Sequence, residues 1–110
     1  MKIAVRFLGL PVSEALREYS EHQALNHLAR FDHDLSSVDI RIRDINGPKG
    51  GEDKQCQVIA RGPRFGFSTL AELSGDAYHA VNAAMVRLAR TVARDLDRAR
   101  DWKACSHPAG

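Results

Sequence analysis

Four arginines near the end of the chain have the spacing of one helical face. They are Arg87, Arg90, Arg94 and Arg98, at intervals of three, four and four residues. At about 100° per residue they occupy an arc of roughly 80°, opposite the apolar positions of the same segment. Guanidinium groups pair bidentately with phosphates, so this arginine stripe would suit a nucleic-acid backbone. A merely solvated helix face is the alternative, because Asp95, Asp97 and Asp101 lie nearby.

A second group of arginines alternates with apolar residues in segments that have the pattern of strands. Its members are Arg6, Arg41, Arg43, Arg61 and Arg64. Alternation predicts that they lie on the sheet face opposite the core. Their stems could equally cover apolar surface without binding a partner. The tyrosines and phenylalanines fall mostly at core-spaced positions, so we predict no exposed aromatic platform for stacking bases and no sequence-specific recognition of bases.

The residues that could carry catalysis do not form a recognisable set. The five histidines lack HExxH or comparable spacing, and Asp32-His33-Asp34 is typical of a polar turn. The glycine-rich stretch at 46–51 lacks the GK[ST] ending of a phosphate loop, and we interpret it as a long hairpin loop. Cys56 alternates into the core as an ordinary buried thiol. We therefore expect no enzyme, catalytic residue, metal site, cofactor or small-molecule substrate.

Composition fits one small domain of a cytoplasmic protein. The chain has 110 residues, of which 44% are hydrophobic and 27% charged, and contains no apolar run near the roughly 20 residues of a membrane-spanning helix. Arg6 interrupts the apolar start, so no export signal is predicted. The only two cysteines of the sequence, Cys56 and Cys105, have no CxxC spacing, so we predict neither a zinc site nor a disulfide framework. Residues 1–53 carry a formal charge of −2 and residues 54–110 one of +4, so the basic character lies in the second half.

Hydrophobic periodicity predicts the elements that position these groups. Apolar alternation predicts four strands around 3–7, 38–42, 56–60 and 65–69, with Phe65, Phe67 and Thr69 inward in the last. Three- and four-residue spacing predicts a helix capped by Ser13 that extends to about residue 31, and a final helix capped by Ser74 or Asp76. The order β-α-β-β-β-α favours an α+β fold with both helices on one face of a four-stranded, mostly antiparallel sheet. We expect one domain over 1–103 and a flexible tail over 104–110.

Several segments together carry a resemblance to a known family. They are VSEALREY at 12–19, RFDH at 30–33, DINGPKGG at 44–51 and DAYHAV at 76–81, with Arg87, Leu88, Arg90 and Arg94 at recurring basic and apolar positions. Over residues 1 to about 100 the chain resembles the ribosome hibernation promoting factor family, also called ribosome-associated inhibitor or sigma-54 modulation proteins. This resemblance implies a fold similar to double-stranded RNA-binding domains and a non-enzymatic role on the ribosome during stress.

The resemblance also implies a partner and a set of contacts. Family members bind the small ribosomal subunit between head and body, where messenger and transfer RNA would otherwise lie. By position, the residues expected to contact ribosomal RNA phosphates are Arg87, Arg90 and Arg94, with Arg98 as an extension and Arg6, Arg41 and Arg43 as further candidates. The C-terminal domain by which long members pair ribosomes is not expected in this chain.

One departure from the family keeps a second hypothesis open. Short members usually carry a Lys-rich end to the last helix, where this chain has Asp95, Asp97 and Asp101. The alternative is a diverged interaction module of the same fold, which regulates a protein partner through a sheet edge without binding ribosomes. Salt-sensitive association with small subunits would distinguish the two hypotheses.

Overall fold

The elements follow one another in the predicted order. The computed structural model describes residues 1–45, 53–64 and 66–106, with side chains up to residue 99. Its elements are β1 Lys2–Leu8, α1 Glu14–Leu28, a 3₁₀ turn Ala29–Phe31, β2 Ser37–Asp44, β3 Lys54–Gly62, β4 Gly66–Ser74 and α2 Ala77–Ser106. The strands lie in the order β1-β2-β3-β4. β1 and β2 are parallel because α1 forms the crossover between them, and the other two pairs are antiparallel. The predicted α+β fold is confirmed.

The core lies between one face of the sheet and the two helices. Strand register aligns Val5, Ile40 and Val58 across β1, β2 and β3, and all three side chains are buried. α2 packs over β3 and β4 and against α1. It buries apolar residues at helical spacing, namely Val81, Met85, Leu88, Val92 and Leu96. Both helices therefore cover the same face, which leaves the opposite face of the sheet uncovered by any described element.

Both helices begin at the predicted capping residues. The Ser13 hydroxyl accepts a hydrogen bond from the backbone N–H of Leu16 at 3.2 Å. Ahead of α2, Asp76 Oδ1 accepts from the N–H of Tyr78 at 2.9 Å, while Ser74 Oγ accepts from the N–H of Asp76 at 3.2 Å. Asp76 is thus the cap, and Ser74 holds the turn that precedes it. α1 is shorter than predicted, because its last turn tightens into the 3₁₀ turn that buries Phe31.

The predicted orientation of β4 is wrong. Gly62 pairs with Gly66 and Arg61 with Phe67, so Phe67 lies on the same face as Arg61, away from the helices. Gly66 has a φ of 82°, a left-handed conformation that glycine adopts without strain. The residues of β4 that face the helices are Ser68, Leu70 and Glu72. Two of these are polar, and for that reason apolar alternation assigned the wrong face.

Two predicted segments fall wholly or partly outside the described residues. The long loop at 46–51 is one of them. The tail at 104–110 is the other, since α2 continues to Ser106 and the last four residues are not described. The limits of the domain therefore remain a prediction. No helix in the described ranges is both long and apolar enough to cross a membrane.

Candidate nucleic-acid interface

The packing of α2 fixes the direction of the arginine stripe. Leu88 and Val92 are fully buried against the sheet and α1, and Met85 lies one turn earlier on the same side. The residues of the stripe project from the remainder of the helix circumference, and Arg87, Arg90, Arg94 and Arg98 are all exposed. The predicted solvent face is confirmed. Its contact with RNA remains a prediction.

Arg87 differs from the rest of the stripe because it has a partner within the domain. Its guanidinium forms a hydrogen-bonded ion pair with the Glu72 carboxylate of β4. The Arg87 side chain is still 58% exposed, whereas that of Glu72 is 22% exposed. The pair lies along the outer side of α2, where the helix meets the edge strand of the sheet. A phosphate that approaches Arg87 has to compete with this carboxylate.

Among the side chains that the structure describes, Arg90, Arg94 and Arg98 have no such competitor. None of the three forms a hydrogen bond or ion pair with another side chain in the described part of the protein. Asp95, which the sequence places beside them, turns away from them, because its Oδ2 accepts a hydrogen bond from Ser68 Oγ at 2.5 Å. This contact reduces the acidic character expected at the stripe. Asp97 is exposed and lies one turn beyond Arg94 along the helix.

Neutralising Glu72 should strengthen binding through the stripe. We expect Glu72→Gln to raise affinity for small ribosomal subunits by up to about fivefold, because an exposed ion pair of about 0.2–1 kcal/mol no longer has to be broken. Fluorescence anisotropy of labelled protein with isolated subunits measures the change. Glu18→Gln is the matched control, since Glu18 is an exposed carboxylate on α1. A weaker complex for Glu72→Gln would mean that Glu72 orients Arg87 productively.

The open face of the sheet carries the second group of arginines. Arg6 of β1 lies directly beside Arg41 of β2, and Arg43 follows two residues further along β2 on the same face. Arg6 and Arg43 are exposed and Arg41 is half-buried. None of the three has a carboxylate partner among the described side chains. Like charges placed side by side are unfavourable unless an anion joins them, so these three arginines form a candidate phosphate site.

The other two arginines predicted for this face have carboxylate partners. Arg61 Nη1 lies 3.0 Å from Asp39 Oδ2, across the β2–β3 pair. Arg64 lies in the turn between β3 and β4, outside the strands, and its Nε is 3.8 Å from Asp34 Oδ1. The prediction that placed Arg64 on the sheet face is therefore wrong. The error arose because the alternation of β3 was extended to Arg64, although that residue lies in the turn after the strand.

The predicted site residues form two surfaces on opposite sides of the domain. The stripe lies on the outer side of α2, whereas Arg6, Arg41 and Arg43 lie beyond the sheet. The structure does not bring the two groups together. Each surface therefore has to be tested by its own variants.

Two aromatic side chains that were predicted at core-spaced positions are exposed in the described part of the chain. Tyr78 is 39% exposed, and its ring packs edge-on against that of Tyr19. Phe67 is 64% exposed on the open face, beside Arg61 in the register. The phase of β4 relative to β3 is fixed by the pairing of Gly62 with Gly66, which the sequence does not show, so no local pattern marks Phe67 as outward-facing.

Cys56 is buried in the core, as predicted. Burial, together with the nearby Glu72 carboxylate, raises the pKa of its thiol from 9.0 to about 12. A thiol protonated at neutral pH is a poor nucleophile. Its position beneath α2 is therefore structural.

The raised pKa of Cys56 makes stability depend on pH. Between pH 9 and about 12 the unfolded thiol ionises while the native thiol stays protonated, so the free energy of unfolding falls as pH rises. We expect this group to contribute a slope of up to about 1.4 kcal/mol per pH unit. Urea unfolding of wild type and Cys56→Ala at several alkaline pH values isolates that slope. Parallel pH profiles for the two proteins would contradict the assignment.

The described elements form a small α+β domain of order β-α-β-β-β-α with arginines on both outer surfaces. Its sequence matches the family model for sigma 54 modulation protein / S30EA ribosomal protein over residues 3–100. The chain belongs to this family, which confirms the resemblance found in its segments.

Two solved structures share the fold. The N-terminal domain of Protein Y from Thermus thermophilus has a TM-score of 0.69 at 21% identity, and the match covers 86% of this chain and 98% of that one. A ribosomal subunit interface protein from Coxiella burnetii has a TM-score of 0.67 at 24% identity, with coverage of 94% and 99%. No curated protein matches the sequence.

Proposed function

We propose that this protein is a cytoplasmic, non-enzymatic translation inhibitor that binds the small ribosomal subunit near the messenger and transfer RNA sites. The observation that carries the proposal is the stripe of α2, in which Arg90, Arg94 and Arg98 are exposed and make no contact with a described carboxylate. Family membership supplies the ribosome as the partner. The same partner is supported by a protein of the same fold from Coxiella burnetii, which is described as a ribosomal subunit interface protein.

The chemistry of the stripe suits an RNA backbone. Each guanidinium can donate two parallel hydrogen bonds to a phosphate, and a charge-assisted contact is worth about 1.5–3 kcal/mol. A helix of 30 residues is rigid enough to hold three such groups at fixed spacing without a loop having to become ordered. Shape and backbone contacts then provide affinity without recognition of bases.

Inhibition by this route requires occupancy alone. A protein bound where messenger and transfer RNA lie excludes both by overlap, so neither a cofactor nor a catalytic residue is needed. The buried Cys56 and the scattered histidines then have no part in function. Because binding depends on phosphates, rising salt should release the protein.

Competition on isolated small subunits tests this proposal. Labelled transfer RNA and a short messenger are bound to the subunits, and retention on a filter is followed as the protein is added. We expect both RNAs to be displaced at protein concentrations that saturate the subunits. Simultaneous retention of protein and RNA would contradict the proposed position. Failure of the protein to bind subunits at low salt would favour the interaction module that regulates a protein partner.

A further inference from the structure

We propose that the open face of the sheet binds single-stranded RNA, with a base stacked on Phe67 and the backbone held by Arg6, Arg41 and Arg43. The inference rests on the proposed function only in taking RNA as the partner. It concerns a different surface from the stripe and a different form of RNA, and it is tested without ribosomes.

The charge of this face is strongly one-sided. Alternation and register place sixteen strand positions on it, four from each strand. Its cations are Lys2, Arg6, Arg41, Arg43 and Arg61. Asp39 supplies the only carboxylate among these positions, and it is already paired with Arg61. The face therefore presents uncompensated positive charge around Arg6 and Arg41, which an anionic chain would neutralise.

Apolar groups lie exposed among these cations. Phe67 is 64% exposed and Leu73 is 45% exposed, and both lie on the open side of β4. Leu8 is exposed on β1 at the opposite edge of the same face. Ile59 is 9% exposed although it lies on this face, so neighbouring side chains already cover the centre. The same neighbours leave the Phe67 ring uncovered, and its faces remain available for stacking.

The spacing of these groups fits a few nucleotides. Arg41 is paired through Gln57 with Ala71 of β4, so Phe67 and Arg41 are two strands and four residues apart, which corresponds to roughly 17 Å at about 4.8 Å between strands and 3.4 Å per residue. Arg6 and Arg43 flank Arg41 on the adjacent strand and along the same strand. A short strand that crosses the sheet from β4 to β1 can therefore place one base on Phe67 and its phosphates on the arginines.

Single-stranded RNA satisfies this surface better than the other candidate partners. A duplex keeps its bases stacked inside and offers no base to Phe67, whereas an unpaired strand exposes them. A second copy docked face to face would bring five cations against five, with a single carboxylate on each side, and the two copies would repel each other. Charge complementarity thus selects a polyanion, and the exposed ring selects one with free bases.

Fluorescence anisotropy with a labelled eight-nucleotide oligouridylate tests the proposal on the purified full chain. We expect Phe67→Ala to weaken binding at least fivefold and Phe67→Tyr to retain it, because stacking requires an aromatic ring. Leu73→Ala is the matched control, an exposed apolar residue of the same strand and face, and should change binding less than twofold. Arg41→Glu with Arg43→Glu should reduce the slope of log affinity against log salt by about 1.4.

Variants of the stripe and variants of the open face should give different results in the oligouridylate assay. Arg90→Glu with Arg94→Glu should leave oligouridylate binding within about twofold of wild type, whatever it does to subunit binding. Circular dichroism of each variant confirms that the fold is retained. Absence of oligouridylate binding, equal effects of Phe67→Ala and Leu73→Ala, or loss of binding in the Arg90 and Arg94 variant would overturn the proposal. So would self-association that depends on Phe67, measured by sedimentation equilibrium.

Discussion

Changing Arg90 and Arg94 together to Glu should weaken binding to the small ribosomal subunit on the order of 100-fold or more. Each residue is exposed and lacks a described partner, so reversal removes two charge-assisted phosphate contacts of about 1.5–3 kcal/mol each and adds repulsion. Arg87 is left unchanged, because a glutamate there would face Glu72 and disturb the seam between α2 and β4. Co-sedimentation with isolated subunits at low salt measures the loss.

The control for this variant changes charge by the same amount elsewhere. Lys2→Glu with Arg30→Glu alters two exposed cations that lie outside α2, in β1 and the 3₁₀ turn, and neither forms an ion pair with a described carboxylate. If net charge alone governed association, this variant would lose as much affinity as the first. We expect it to lose less than about fivefold. Comparable losses in the two variants would mean that the stripe is not the contact surface.

Leu88→Ala should lower the free energy of unfolding by about 3 kcal/mol. Leu88 is fully buried between α2, the sheet and α1, and a leucine truncated at such a site costs about 2–5 kcal/mol through lost burial and the cavity left behind. The total free energy of unfolding of a natural domain is about 5–15 kcal/mol, so this loss is a large share of its stability. Since Leu88 directly follows Arg87 and faces the core, it also anchors the helix that carries the stripe.

Leu25→Ala provides the comparison for this loss of stability. Leu25 is 51% exposed on α1, so removal of its side chain creates no cavity. Urea unfolding should place this variant within about 1 kcal/mol of wild type. Equal destabilisation by the two substitutions would contradict the packing of α2 described above.

The sequence predicts most of this fold because burial and periodicity agree in most of its elements. In β2, Val38, Ile40 and Ile42 alternate strictly with polar residues, and all three are fully buried. The same agreement holds along α2, where Val81, Leu88 and Val92 are core residues and the arginines between them are exposed. The parallel pairing of β1 with β2 then follows from the helix that connects them.

The orientation of β4 was predicted wrongly because two of its three side chains that face the helices are polar. Ser68 and Glu72 face the helices, and each is satisfied by a residue of α2, Asp95 and Arg87 respectively. These partners lie 27 and 15 positions away along the chain, so no local pattern marks them. An inward-pointing charge on an edge strand also hinders pairing with another sheet, which gives Glu72 a structural reason to be there.

The candidate site was predicted as a set of residues but not as an arrangement. Helical spacing identified the stripe, and strand alternation identified Arg6, Arg41 and Arg43 as outward-facing. The two groups lie on opposite sides of the domain because the helices cover only one face of the sheet. Arg87 is neutralised because the register of β4 places Glu72 beside it. The exposed ring of Phe67 depends on that same register, so tertiary structure alone revealed it.

The salt dependence of binding to isolated ribosomal subunits tests the central claim most directly. We predict co-sedimentation with the small subunit but not with the large one, and a slope of log affinity against log salt of about −2 or steeper, as three phosphate contacts require. Binding to neither subunit at low salt, or binding that does not change with salt, would contradict the claim that this family member acts on the small subunit through its arginines.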